Sequence, residues 1–303
     1  MAQTVSFENL EGARGLGWVP DVPDLRDYTA EHEEVAPLLS ATSVPKLEAG
    51  GEAQAALPGS VDLRQWCPPV ENQRALGSCT AQAGVGMLEY FERKARGKHL
   101  DASRLFLYKA TRKLIGLEGD SGASLRGTAG AMQLFGVPPE RYWPYDIEEF
   151  ETEPPGFCYA FAEKFQSLKY YRLDPPETSP DDLIASLKAN LASKLPAMFG
   201  FTVYSSIEEA QENEGKVSFP QQGDGVVGGH AVMAVGYDDT VSISGGLLGK
   251  DSRGGILFRN SWGRSWGDRG YGWLSYDYIR YELTGDWWVL IDQEWTSTEK
   301  FTQ

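Results

Sequence analysis

The chain is poor in cysteine, histidine and positive charge, and it has no long apolar run. Its three cysteines, Cys67, Cys79 and Cys158, are too few and too odd in number for a disulfide framework. They read either as one pair with a leftover thiol or as three free thiols. Histidine is confined to His32, His99 and His230, and neither C-x-x-C nor H-E-x-x-H occurs. No metal site and no cofactor are therefore expected. No apolar stretch approaches the roughly 20 residues that cross a bilayer. Met1 to Pro20 carries glycine and acid where a secretory signal has a basic start and an apolar stretch. A cytoplasmic location is the default expectation, with export by another route left open. Lys and Arg number 28 against 43 Asp and Glu, a net charge of −15. That balance argues against nucleic acid and anionic membrane surfaces as partners.

What is present divides the chain unevenly. Residues 1–59 hold ten acids against three bases, about half of the negative excess in a fifth of the length. Gly15 to Tyr28 reads GLGWVPDVPDLRDY and has neither helical nor strand period; residues 33–60 are rich in Ala, Pro, Gly and Glu and read as a linker. Trp18, Leu25 and Tyr28 are apolar anchors that a fully solvated tail seldom carries. From Ser78 the pattern becomes helical, with Ala81, Val85, Leu88, Phe91 and Ala95 on one face, Ser78 as cap and Gly97 as stop. Further helices are expected over Ser103–Leu114, from Leu125 to Phe135 before Gly136, and from a capping-box-like start at Ser179. Strand signals dominate later: Pro196–Tyr204, His230–Tyr237, Gly255–Trp262, Tyr271–Tyr276 and Trp287–Ile291. Helices first and strands later predict an α+β protein with two segregated halves and a ligand cleft between them.

Three elements bear chemistry. A cysteine at the tip of the helix that begins after Ser78 sits in the positive field of the helix N-terminus, which favours thiolate. On residue type alone, Cys79 is better read as a small core residue. His230 opens an alternating strand after the pair Gly228-Gly229. Asn260, flanked by Phe258 and Trp262, is placed to hold an imidazole in one tautomer. A lone His or Asn in a strand is more often a satisfied core group.

Together these elements resemble the papain-like cysteine peptidases, in particular a disulfide-poor bacterial branch. LGSCT at 76–80 is similar to the family signature around its nucleophile. GHAVMAVGY at 229–237 and RNSWG followed by WGDRGYGW at 259–273 are similar to the blocks around its histidine and asparagine. Gln73, six residues before the cysteine, matches the family's oxyanion glutamine. The resemblance runs from Ser60 to Ile291. It implies a two-lobed fold, with a mainly helical lobe over 60–175, a β-barrel-like lobe over 176–303, and the site in the cleft between them. It also implies Cys79 as nucleophile, His230 as acid and base, Asn260 as its holder and Gln73 as oxyanion donor. Gly122, Gly229, Ala231 and Trp262 are the implied substrate-side residues, although Trp262 is equally read as core and Gly122 as a helix-start glycine. The implied partner is a peptide or protein substrate.

The departures carry expectations of their own. Leu76 stands where many relatives have a half-cystine, and Thr80 replaces an aromatic. Arg74 reads as a solvated residue beside the oxyanion site. Asp238 to Gly255 reads as an extra polar loop. Part of residues 1–59 is expected to lie in the cleft as an autoinhibitory strand, with equal weight for an arm packed on the back of the fold. Two other functions compete: a cysteine acyltransferase of the same fold, and a catalytically silent peptide-binding module.

Overall fold

The computed structural model describes residues 14–42, 44–45, 57–162, 168–246, 249–292 and 295. The helices are α1 Ala36–Ser40, α2 Cys79–Arg96, α3 Arg104–Leu114, α4 Leu125–Phe135, α5 Gly156–Ala162, α6 Pro180–Ala192, α7 Ile207–Ala210 and α8 Tyr276–Arg280. The strands are β1 Ser60–Asp62, β2 Lys169–Arg172, β3 Ala197–Tyr204, β4 Lys216–Val217, β5 Val226–Ile243, β6 Ser252–Arg259, β7 Tyr271–Ser275 and β8 Thr284–Ile291. The expected helices and strands all form, within a few residues of their anticipated ends.

Helix α2 is buried on nearly every side, with α3 and α4 on one flank and β5 on the other. That central place buries polar members of the helix as well as its apolar face, among them Gln82, Glu89 and Glu92. Ser179 caps its helix as the sequence predicts, and Ser103 and Ser124, which were not singled out as caps, act alike: each of the three accepts a backbone N–H from three residues on. Ser78 does not cap α2, because its hydroxyl shares a 2.6 Å hydrogen bond with the Tyr145 hydroxyl. The first N–H groups of α2 are thus left for other acceptors.

The strands form one mixed sheet in the order β2-β8-β3-β5-β6-β7-β4, with β1 paired to β5 off that path. The sheet is not closed, which corrects the barrel-like expectation. Its ends are the four-residue β2 and the two-residue β4, and β4 runs parallel to β7. The segregation is also incomplete, since β1 and β2 come from the first part of the chain. The expected polar loop at 238–255 is largely strand. β5 continues to Ile243 and pairs there with Ser252, and a register shift between Asp238 and Ser242 absorbs the polar residues. The tip is held by Gln221, whose amide donates to the carbonyls of Gly245 and Gly246. Among the described residues no helix is long and apolar enough to cross a membrane. All three cysteines carry free, buried thiols.

The N-terminal segment does two things. Residues 15–19 run extended between the two walls of the molecule, bonded to Arg74, Ala123 and Gly229. After Asp21 the chain turns and packs on the body: Arg172 N–H donates to the Tyr28 carbonyl, and Val35 and Leu39 are buried.

Candidate active site

The sheet and α2 bring Cys79, His230, Asn260 and Gln73 together. Cys79 is the first residue of α2, and His230 lies on β5, which packs against α2. Asn260 follows the end of β6, the neighbour of β5. Gln73 is fixed to this strand end by a β-bridge between Asn72 and Trp262 and by its N–H donating 2.8 Å to the Ser261 carbonyl.

The His230 ring is wholly buried. Its Nε2 lies 2.8 Å from Asn260 Oδ1, which also accepts the Ser261 N–H at 2.8 Å. Because that oxygen is an acceptor, Nε2 carries the proton and Nδ1 presents a lone pair. Nδ1 is buried with no hydrogen-bond partner. Trp262 stacks on the ring at 4.4 Å and 21°, and Phe201 meets it edge-on at 5.8 Å. This apolar sandwich keeps water off the His230–Asn260 hydrogen bond. Burial holds the imidazole down to about 4, against a smaller upward pull from Asn260.

The Cys79 sulfur has no solvent exposure. Burial pushes the thiol up to about 12. Backbone N–H groups of Ala231, Gly17, Thr80 and Cys79 oppose that shift, in decreasing order. Ala231 directly follows His230, so the sulfur sits against the strand that carries the histidine. Thr80 and Cys79 belong to the uncapped start of α2. Gly17 belongs to the N-terminal segment, so part of the cover over the sulfur is that segment.

That segment is bound like a peptide. The N–H groups of Gly17 and Trp18 each donate 3.1 Å to the Gly229 carbonyl. On the facing wall, Ala123 N–H donates to the Gly17 carbonyl at 2.8 Å and Val19 N–H to the Ala123 carbonyl at 3.0 Å. The Gly15 carbonyl accepts from Gln73 Nε2 at 3.1 Å and from Trp262 Nε1 at 3.4 Å. Gly15 N–H donates 2.7 Å to the carbonyl of Arg74, whose side chain is exposed as expected.

The substrate-side expectations need one correction. The backbone pairing falls on Ala123, not on Gly122. Gly122 has φ +72°, and a β-carbon there would lie 2.2 Å from the Gly17 carbonyl oxygen. Its role is therefore room for the strand, with its own N–H turned to the Tyr108 hydroxyl. Gly229 makes its contact through its carbonyl. Ala231 is buried beside the sulfur, and Trp262 touches both His230 and the N-terminal strand.

Sequence reasoning missed the groups behind these. Asp120 accepts the Gly77 N–H at 2.9 Å and the Tyr108 hydroxyl at 2.6 Å, which pins the turn before Cys79 to the opposite loop. The Ser261 hydroxyl donates to Gln73 Oε1 and so turns the glutamine N–H groups towards the cleft. Asp120 at least stands two residues before Gly122, which the sequence had singled out. Nothing local marks Ser261.

Comparison with known proteins agrees with this geometry. The profile described as Papain family cysteine protease matches residues 57–284. An uncharacterized peptidase C1-like protein of Acanthamoeba polyphaga mimivirus is 31% identical over 92% of this chain and 87% of its own length. The crystal structure of xylellain, a cysteine protease from Xylella fastidiosa, is 32% identical, covers 92% of this chain and 96% of its own, and superposes with a TM-score of 0.71. A digestive procathepsin L 3 from Tenebrio molitor larval midgut shares the fold at 17% identity, 90% and 82% coverage and a TM-score of 0.56. A profile match over most of the chain, and relatives above 30% identity along nearly all of it, lead to one conclusion: this chain belongs to the papain family of cysteine proteases.

Proposed function

We propose that the chain is a latent peptidase that cuts peptide bonds through Cys79 and His230 and is held shut by its own residues 14–19. A papain-family protease acts on peptide substrates, and the roles follow from the chemistry of the cluster. His230 Nδ1 takes the proton of the Cys79 thiol, and the sulfur attacks the substrate carbonyl carbon. The carbon–sulfur bond forms as the carbonyl becomes an oxyanion, which the Gln73 amide and the Cys79 backbone N–H stabilise. His230 gives the proton to the departing amine. Water then attacks the thioester, His230 takes its proton, and the acid and free thiol are restored. Asn260 holds the ring through these transfers, and Trp262 keeps water from that bond.

One observation carries this reading. An extended peptide segment already occupies the cleft, bonded to Ala123 and Gly229 on opposite walls, with a carbonyl on the Gln73 amide. A cleft that binds its own strand in this way is shaped for extended substrate and closed to it.

Two glycines offer a direct test in the full-length chain. A β-carbon at Gly15 would lie 2.1 Å from the Leu76 carbonyl oxygen, and one at Gly17 would lie 1.9 Å from that of Gly77. Gly15→Val with Gly17→Val therefore evicts the strand and leaves the catalytic residues untouched. A peptide epoxide is expected to modify Cys79 slowly in the parent and much faster in the variant, read by mass spectrometry. Equal rates would refute latency. Modification of Cys67 or Cys158 instead would refute the nucleophile.

A further inference from the structure

The bulkiest side chain of the N-terminal strand, Trp18, is partly buried against the core. Its seat lies on three neighbouring strands that all lack a side chain at that spot. A β-carbon at Gly200 on β3 would lie 2.0 Å from Trp18 Cε2. One at Gly229 on β5 would lie 3.0 Å from Cε3, and one at Gly285 on β8 would lie 3.8 Å from Cζ2. Gly200 and Gly285 face each other in the strand register. The result is a flat slot, open where three glycines line up and able to take a whole indole.

The end of the slot is charged. Asp286 is only 3% exposed. Its Oδ2 accepts Trp18 Nε1 at 2.9 Å and the Asp21 N–H at 2.8 Å, and its Oδ1 accepts Arg172 Nη2 at 2.9 Å. When the N-terminal strand leaves, Oδ2 loses both donors while Arg172 keeps its place. A buried carboxylate oxygen without a donor is costly, so whatever enters the slot is selected for supplying one. Phenylalanine and leucine supply none. Arginine supplies several as well, and Arg172 already divides its charge between Asp286 and Asp174 at 2.9 Å each, so it is the flat, two-ring shape left by the three glycines, not charge, that favours an indole over a guanidinium.

Resting on the proposed peptidase reading, we propose that this slot is the selecting pocket of the enzyme, that it takes a tryptophan side chain of the substrate, and that Asp286 is the residue that reads the indole N–H. Trp18 then closes the enzyme by filling the pocket with the side chain it selects.

The test uses the full-length Gly15→Val, Gly17→Val chain on peptide libraries randomised at each position flanking the cleaved bond. The libraries contain tryptophan, phenylalanine, arginine and 2-naphthylalanine, which has the same two-ring body without the N–H. Tryptophan is expected to exceed 2-naphthylalanine by at least about tenfold at one position, the factor of a hydrogen bond to a charged acceptor. In Asp286→Asn the gap is expected to close to within about twofold. Arg172 there claims the amide oxygen and leaves an NH2 facing the indole N–H. Equal use of the two bicyclic residues, or a preference for arginine, would overturn the assignment. Should no peptide be cut, the peptidase reading fails by itself, and the slot is read directly by calorimetry on the full-length Trp18→Gly chain. Indole binding at least about tenfold tighter than indene supports the slot; equal binding, or none, overturns it.

Discussion

Cys79 and His230 are both neutral while they are covered. Burial lifts the thiol to about 12 and holds the imidazole at about 4, so neither carries charge near neutrality. The sign of the pH effect follows from the histidine. Its covered value lies below the ordinary value of roughly 6.5, so the uncovered form binds a proton across that window and the covered form does not. Closure is therefore fully stable between about pH 6.5 and the ordinary thiol range near roughly 8.5; it weakens as pH falls towards 4, and again at higher pH, where an uncovered thiol ionises and the covered one does not. Amide protection at Gly17 and Val19, corrected for intrinsic exchange, is expected to drop from about pH 6.5 down to about 4 and to stay level from about pH 7 to 8. His230→Gln is expected to remove that slope. Gln73 gives a second prediction at the same scale. In the strand-evicted chain, Gln73→Ala is expected to lower kcat by roughly 100- to 1000-fold with little change in KM, the signature of a lost oxyanion donor. Steady-state kinetics on one peptide decide it. The site was legible at this scale because its four residues stand in recognisable blocks. Ala123 was not, since a backbone contact leaves no mark on residue type. Ser261 and Asp286 were not, since what they do depends on partners far along the chain.

At the scale of elements, α2 has to hold a reactive tip while its body lies in the core. That body contains Glu89, which is 4% exposed and accepts the Ala102 N–H at 2.9 Å. Burial raises its carboxyl to about 8, against smaller downward pulls from Ala102 and Arg259. The folded chain thus keeps this proton between about pH 4.5 and 8, where the unfolded chain has lost it. Stability from this group is full at low pH and is lost as pH rises through 8. Glu89→Gln copies the protonated acid in shape and cannot ionise. Its unfolding free energy in urea titrations is expected to match the parent's at pH 5 and to exceed it at pH 9, by on the order of a few kcal/mol. A parallel fall in both proteins would show that another group sets the slope. Element types were readable because helical and alternating periods are strong over these lengths. The β5–β6 extension was not, because Asp238, Asp239 and Thr240 look like loop in isolation, as the glycines at 245, 246 and 249 beyond them are. Pairing with a neighbouring strand overrides that local preference, and β-propensity is weak against such context.

Across the whole molecule, the proposed latency is a contest between the N-terminal strand and solvent for the cleft, and it turns on how that strand is anchored. Trp18, Leu25 and Tyr28 stood out in the sequence as apolar anchors; Leu25 is 97% exposed and anchors nothing, and the polar clamp behind the other two was not visible. Arg126, at the start of α4, donates from Nε to Asp27 at 2.7 Å and from Nη1 to the Val22 carbonyl at 2.9 Å, and its backbone N–H donates to Asp21 at 3.0 Å. Arg172 on β2 reaches Asp27 at 3.4 Å and Asp286 at 2.9 Å. The side chains of Asp27 and Asp286 are 11% and 4% exposed, so these are partly desolvated pairs whose loss strands a buried charge. Arg26 pairs with Asp24 in the same segment at 2.6 Å, but the arginine side chain is 89% exposed. A surface pair of that kind is worth little. Removing one positive charge at each of these two contacts should therefore act very differently. Arg126→Ala is expected to speed epoxide labelling of Cys79 by about fivefold or more, since Asp27 is left with only the 3.4 Å contact to Arg172 and the Val22 carbonyl loses its donor. Arg26→Ala is expected to change it by less than about twofold. If the two variants labelled alike, the strand would be held by its backbone bonds and Trp18 alone, and the charge clamp would have no part in keeping the enzyme closed.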